Sequence, residues 1–277
     1  MKVVLFCGGY GMRMRSGESD LPKPMTTVGP RPLIWHVMRY YAHFGHKEFV
    51  LCLGYGAQHI KDFFLHYDET ASNDFTLRKG QVELRGSDIQ DWMITFVHTG
   101  LDSPIGERLR RVRKYVEDEE MFLANYADVL TDAPLDQMID TFKASDAAGA
   151  LLAVRPQSAF HCIEMGEDDR VSAVRTLQEM PLRENGGYFV LRPEVIDLIP
   201  AQGDLIKDAI TPLATEGRIL GYPYDGFWHP ADTIKERTAL EAAYRSGVRP
   251  WMLWDDVEER DPTQAAIAGL NAAVLAR

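Results

Sequence analysis

The chain has 277 residues, 45% of them hydrophobic, and its 41 acidic against 30 basic side chains give a formal net charge of −11. That length and apolar fraction suffice for one large α/β domain with a substantial core, and they exclude a disordered or fibrous chain. The acidic balance disfavours general nucleic-acid binding and leaves small anionic ligands, held at local basic sites, as the expected partners.

The chain opens on the apolar run 3–7, too short for a signal-peptide core, and neither this run nor any later one is long enough to cross a bilayer. A soluble, cytoplasmic protein without membrane partners is expected. Cys7, Cys52 and Cys162 are far apart and each flanked by strand-like apolar residues, which fits reduced core cysteines of that compartment. The run 3–7 is a predicted strand, and it leads into Gly8-Gly9-Tyr10-Gly11-Met12-Arg13, ten residues ahead of Lys23-Pro24-Met25. A strand ending in a glycine-rich loop exposes backbone N–H groups to a phosphate chain, and Arg13 and Lys23 supply the charge such a chain needs. The plain alternative is a tight strand-to-helix turn. A P-loop would require Lys-Ser or Lys-Thr after the glycines, and a dinucleotide fingerprint would require a third glycine where Met14 stands.

Further along, apolar runs at 49–53, 94–97 and 122–126 alternate with amphipathic stretches at 33–44, 57–67, 106–116 and 135–144. Apolar residues recur at three and four in the helices, as at Ile34, Val37, Met38 and Tyr41, while the strands are short continuous apolar runs of a sheet covered on both faces. The alternation predicts a doubly wound, mainly parallel, Rossmann-like sheet. Residues 68–92 interrupt it with a polar stretch around Lys79-Gly80, a predicted hairpin excursion and candidate oligomer contact. After Ala150 the strands 151–154, 160–165 and 171–177 follow closely, as in an appended β-rich lobe that holds substrate. A tail from Asp255 contains a short alanine-rich helix at 265–275.

Two isolated carboxylates stand out. Asp128 follows the strand 122–126, at the carboxyl edge of the sheet where open α/β folds bind ligands. Asp232 follows Gly226-Phe227-Trp228 and precedes Thr233, where a helical stretch starts, so helix capping is its plain alternative. Asp132 is likewise a candidate turn residue. Arg108, Arg110, Arg111, Arg113 and Lys114 spread around a helix and are mostly solvated on this view. His36, His98, His161 and His229 lack metal-ligand spacing.

The pattern G-G-x-G-x-R with downstream Pro22-Lys23-Pro24 resembles the signature of sugar nucleotidyltransferases. Transfer from a nucleoside triphosphate to a sugar 1-phosphate is a displacement at the α-phosphorus, with negative charge on both reactants, so the protein must supply cations, including Mg2+ held by carboxylates. Lys23 is then the candidate for the α-phosphate and Arg13 for the β- and γ-phosphates. With Trp35-His36, Gly54-Tyr55, Thr99-Gly100, Arg108-Leu109, 185–190, Asp232-Thr233 and Pro250-Trp251 in order, residues 1–254 resemble the glucose-1-phosphate cytidylyltransferase family.

That resemblance implies an α/β nucleotidyltransferase domain with a nucleotide-binding part over about 1–150 and a sugar-binding part over about 151–254. It implies CTP and glucose 1-phosphate as substrates, and with the surfaces offered by residues 68–92 and the tail a homo-oligomer is expected. Gly8, Gly9, Gly11, Met12, Arg13, Lys23, Thr99 and Arg108 would bind nucleotide; Arg13, Lys23 and Asp128 would be catalytic; Asp128 and Asp232 would hold Mg2+. Glu179, Asn185 and Gly186 would face the sugar. Four positions depart from the family pattern: Met12 replaces a threonine, His98 replaces the aspartate of Asp-Thr-Gly, Met180 replaces the lysine of Glu-Lys-Pro, and Lys207 stands at an acidic position. Met12, Met180 and Lys207 motivate an alternative, a non-catalytic homologue that binds nucleotide or nucleotide sugar as a regulatory subunit. An NAD(P)-dependent oxidoreductase would need an acidic residue closing the second strand, which is missing.

Overall fold

A computed structural model describes residues 1–9, 21–157 and 160–255. Strand β1 (Lys2–Phe6) is followed by the two-residue strands β2 (Thr27–Val28) and β3 (Arg31–Pro32), helix α1 (Leu33–His43), β4 (Glu48–Leu53) and α2 (Ala57–Leu65). The hairpin β5 (Phe75–Arg78) and β6 (Gln81–Leu84) precedes β7 (Met93–His98), α3 (Ile105–Val112), β8 (Phe122–Asn125), β9 (Val129–Thr131), α4 (Leu135–Lys143) and β10 (Gly149–Val154). A second hairpin, β11 (His161–Met165) and β12 (Val171–Thr176), leads to β13 (Glu184–Leu191), α5 (Thr211–Thr215), β14 (Ile219–Tyr224), β15 (Trp228–Pro230) and α6 (Ile234–Arg245).

The central sheet has seven strands in the order β14-β10-β13-β8-β1-β4-β7. All neighbours are parallel except at β13, which runs antiparallel to both β8 and β10. The continuous apolar runs of the sequence are explained by the two layers they serve. In β1, Val3 and Leu5 enter one core while Val4 and Phe6 enter the other; in β4, Phe49, Leu51 and Leu53 separate from Val50 and Cys52 in the same way. Helices α1 and α4 cover the first face, and α3 with the segment around Val195–Leu213 covers the second. Each fully buried aliphatic side chain of this kind contributes roughly 1.5–3 kcal/mol.

Helix α1 shows how the local signals act. Leu33, Ile34, Val37, Met38 and Tyr41 are buried along one face. The helix ends where Gly45 takes a φ of 84° and its N–H, with that of His46, returns to the carbonyls of Ala42 and Tyr41. That reversal is open to glycine at no steric cost.

Two expectations change. The run 151–154, assigned to an appended meander, belongs to β10 inside the central sheet, and β13 and β14 of the same half also join that sheet. Only β11 and β12 stand apart as a two-stranded hairpin. Cys7 and Cys52 are buried core thiols, whereas Cys162 lies half-buried on that hairpin. The excursion at 68–92 does form a hairpin: Arg78 pairs with Gln81 across Lys79 (φ 51°) and Gly80 (φ 81°). Two positive φ values make this the tight turn whose twist matches the strands. The tail helix expected at 265–275 lies outside the described residues.

Candidate active site

A cleft of about 1010 Å3 opens at the carboxyl ends of β1 and β8. Gly8 and Gly9 border it directly after β1, with Lys23 and Pro24, Arg108, Tyr126, Asp128, Gln157, Glu184, Asn185, Trp228 and Asp232 around the rest. Gly11, Met12 and Arg13, expected in the phosphate loop, lie outside the described residues.

Lys23 is at the centre of the site. Its ammonium donates to Asp128 Oδ2 at 2.6 Å and to Asp232 Oδ1. The two carboxylates are delivered by one device. Strand β9 pairs antiparallel with β15, and the N–H of Ala231 continues the ladder to the carbonyl of Asp128 at 3.0 Å, so the residue preceding β9 and the residue two places beyond β15 meet. On the other side of Asp128, Ala127 holds a φ of 63° and its N–H is taken by the Asn125 side chain at 2.6 Å. A left-handed alanine costs roughly 1–3 kcal/mol and turns the chain sharply at the strand end.

Asp232 does not cap α6. Thr233 does, in a reciprocal capping box with Glu236, and the Asp232 carboxylate is left for Lys23. Burial pushes the Asp128 carboxyl above its ordinary pKa, opposed by Lys23. For Lys23, burial disfavours the charged form, but Asp128 and Asp232 outweigh it and hold the ammonium pKa above its usual value. The point where the carboxylates converge therefore takes a cation. Two carboxylates open to a cleft are the donor set that Mg2+ uses together with phosphate oxygens and water, so the residues fit such an ion. Among the described residues no three His, Cys, Asp or Glu side chains gather around one metal position.

Arg108 points inward from α3, unlike its neighbours. Arg110 and Arg111 pair with Glu107 at 2.8 and 2.9 Å, and Arg113 pairs with Glu117 and Asp197. The Arg108 guanidinium is 4% exposed and donates to Thr99 Oγ1 at 2.8 Å and to the carbonyls of Gly100, Leu101 and Gly8 at 2.8, 3.0 and 3.1 Å. Burial lowers its pKa, yet arginine stays charged. The oxygens that receive its hydrogen bonds are neutral, and the Asp102 carboxylate acts on its charge through space. A Cβ at Gly8 would collide with this guanidinium.

The remaining expected residues divide. Thr99 is buried and braces Arg108 rather than lining the cleft. Asn185 lines the cleft, its side chain held by Gly187 N–H at 3.0 Å and Tyr126 OH at 3.1 Å. The Gly186 carbonyl instead receives Trp228 Nε1 at 2.8 Å. Glu179 is exposed, closes a turn by accepting the Thr176 N–H at 3.0 Å, and does not line the cleft. Met180 and Lys207 are also outside it. Glu184, Gln157 and Tyr126 are cleft residues that the sequence did not single out. Trp228 belongs to the core and also borders the cleft.

Comparison with known proteins bears on this geometry. The family model described as nucleotidyl transferase matches residues 2–257. The chain is 35% identical over 261 residues to the glucose-1-phosphate cytidylyltransferase of Salmonella typhimurium, covering 92% of this chain and 100% of that one. It is 26% identical over 235 residues to the mannose-1-phosphate guanyltransferase of Candida albicans, covering 82% and 60%. Its fold is similar to that of UDP-glucose pyrophosphorylase from Acinetobacter baumanii, with a TM-score of 0.64, 16% identity and 99% of both chains covered.

Proposed function

The chain belongs to the nucleotidyl transferase family, and we propose that it transfers CMP from CTP to glucose 1-phosphate, giving CDP-glucose and pyrophosphate. The reaction type is supported by the family and by relatives named glucose-1-phosphate cytidylyltransferase and mannose-1-phosphate guanyltransferase. The choice of cytosine and glucose rests on the 35% relative whose full length this chain spans.

The observation that carries the chemistry is the meeting of Lys23, Asp128 and Asp232, drawn from three distant segments, beside a glycine loop and a buried arginine whose guanidinium donates to neutral oxygens. An oxygen of the sugar phosphate forms a bond to the α-phosphorus, and the bond from that phosphorus to the bridging oxygen breaks, releasing pyrophosphate. Lys23 supplies positive charge to the α-phosphoryl oxygens. The Gly8 and Gly9 backbone leaves room for the phosphate chain to approach the charge of Arg108. Mg2+, held by Asp128 and Asp232, would neutralise the phosphates and the leaving pyrophosphate. Asn185, fixed by Tyr126 and Gly187, presents its amide to the opposite side of the cleft, where the sugar hydroxyls would lie.

The test is a matrix of nucleoside triphosphates against sugar 1-phosphates, with pyrophosphate release as the readout. CTP with glucose 1-phosphate is expected to give the highest kcat/KM. A different best pair would correct the substrate, and no release from any pair would remove the enzymatic reading.

A further inference from the structure

We propose that two of the hairpins outside the central sheet dock on each other between copies of this chain, β5 and β6 of one protomer against β11 and β12 of another. Neither hairpin belongs to the seven-stranded sheet, and an isolated two-stranded hairpin is marginal in water unless its apolar face is covered. Each presents such a face. In the first, Leu77 lies opposite Val82, with the two side-chain-bearing residues 66% and 50% exposed. In the second, Ile163 lies opposite Val174 and Met165 opposite Val171, all of them 53% to 60% exposed. The reverse face of each hairpin is polar: Thr76 opposes Glu83, and Glu164 pairs with Arg175 at 3.2 Å.

Charge identifies the occupant. The first hairpin, residues 75–85, carries Arg78, Lys79 and Arg85 against Glu83 alone. The second, residues 161–176, carries four acidic side chains against two arginines, and those arginines are already paired, Arg170 with Asp168 and Arg175 with Glu164. Glu167 and Asp169 at its tip thus face solvent as the complement of Arg78 and Lys79 at the other tip. Two apolar faces with opposite tips fit each other, whereas either hairpin against itself would bring like charges together. Because different patches meet, the contact is either reciprocal across a two-fold axis or head-to-tail, closing into a ring when the rotation permits.

The contact has a consequence for the proposed reaction, and this part rests on that reading. The second hairpin is inserted between Gln157 and Glu184, both on the cleft wall. Docking by a neighbour would fix the wall that carries Asn185, on the acceptor side, without touching the Lys23 side.

Mass in solution, measured by sedimentation of the full chain, tests the contact independently of any activity. The native chain is expected to be a defined oligomer, weakened by salt. Leu77→Asp and Val174→Asp should each give folded monomers, with circular dichroism checking the fold. Arg78→Glu with Lys79→Glu should weaken association at least about tenfold, and adding Glu167→Lys with Asp169→Lys should restore it. A native monomer, an oligomer indifferent to either face variant, or a charge reversal without rescue overturns the proposal. The dissociated variants should raise the KM for the sugar 1-phosphate several-fold and leave that for CTP unchanged; equal changes in both overturn the link to the acceptor wall.

Discussion

Lys23 is held between two carboxylates that reach it from the same end of the antiparallel β9 and β15 pair, and its role follows from what surrounds it. Preorganised charge at a reacting phosphate is worth more than the same charge in water, and loss of one such contact costs about 2.7–4 kcal/mol of transition-state stabilisation. Lys23→Ala or Asp128→Asn should therefore lower nucleotidyl transfer at least about a hundredfold, with far-UV circular dichroism close to native. Native rates in either variant would remove these residues from the chemistry. Both residues were legible in the sequence because a lysine framed by prolines and an aspartate closing an apolar strand carry local signals. Arg108 was legible only through resemblance, since its helix neighbours are equally basic and nothing local distinguishes the one that turns inward.

At the scale of elements, helix α1 is tied through His36, a polar group inside the core. His36 Nε2–H donates to the Val28 carbonyl at 2.9 Å, and its Nδ1 accepts from Trp251 Nε1 at 3.3 Å, which fixes the neutral tautomer and joins α1 to the segment after α6. Burial pushes the His36 pKa down from 6.5 to about 4. The unfolded chain takes up this proton near its ordinary pKa while the folded chain refuses it, so stability is full above about pH 6.5 and falls as pH drops towards 4. The loss from this one group approaches about 3 kcal/mol. Urea unfolding at pH 7, 5.5 and 4.5 should show the decline, with a shallower slope in His36→Gln; His46, also pushed by burial to about 4, retains part of it. An identical slope in both proteins would exclude His36 as a contributor.

The base of the β5 and β6 excursion has its own anchor. Arg31, 3% exposed, donates through Nε to Ser72 Oγ at 2.9 Å and through Nη2 to the Asp68 carbonyl at 2.6 Å, while Tyr67 OH donates to Asp88 Oδ2 at 2.6 Å. Removing Arg31 leaves the buried Asp88 carboxylate without the guanidinium that lies 3.4 Å from its Oδ2. Arg31→Ala should cost about 3 kcal/mol or more in chemical denaturation. A change within about 0.5 kcal/mol, the range of ordinary surface substitutions, would mean that water replaces the guanidinium at this position.

For the whole molecule, a ligand bound by the folded chain and not by the unfolded one stabilises by mass action, about 2.7 kcal/mol when its concentration is a hundred times Kd. CTP with Mg2+ should therefore raise the Tm of the purified protein. No shift with any nucleoside triphosphate at millimolar concentration would remove the nucleotide site.

What the sequence determined by itself is what depends on near neighbours along the chain. Apolar runs alternating with helical periodicity specified the α/β class and the parallel core, because a strand buried on both faces needs apolar residues at every position. The spacing of Gly8, Gly9 and Lys23, and the aspartate after residues 122–126, marked the phosphate side of the cleft. Tertiary structure alone decided how distant segments combine. The strand β13 enters the middle of the sheet antiparallel, and residues 151–154 join the sheet instead of a lobe, because partner and direction are set by hydrogen bonding to strands far away in sequence. The same holds for Asp232. Its local pattern fits a helix cap, and only the pairing of β15 with β9, together with the cap supplied by Thr233, turns its carboxylate to Lys23.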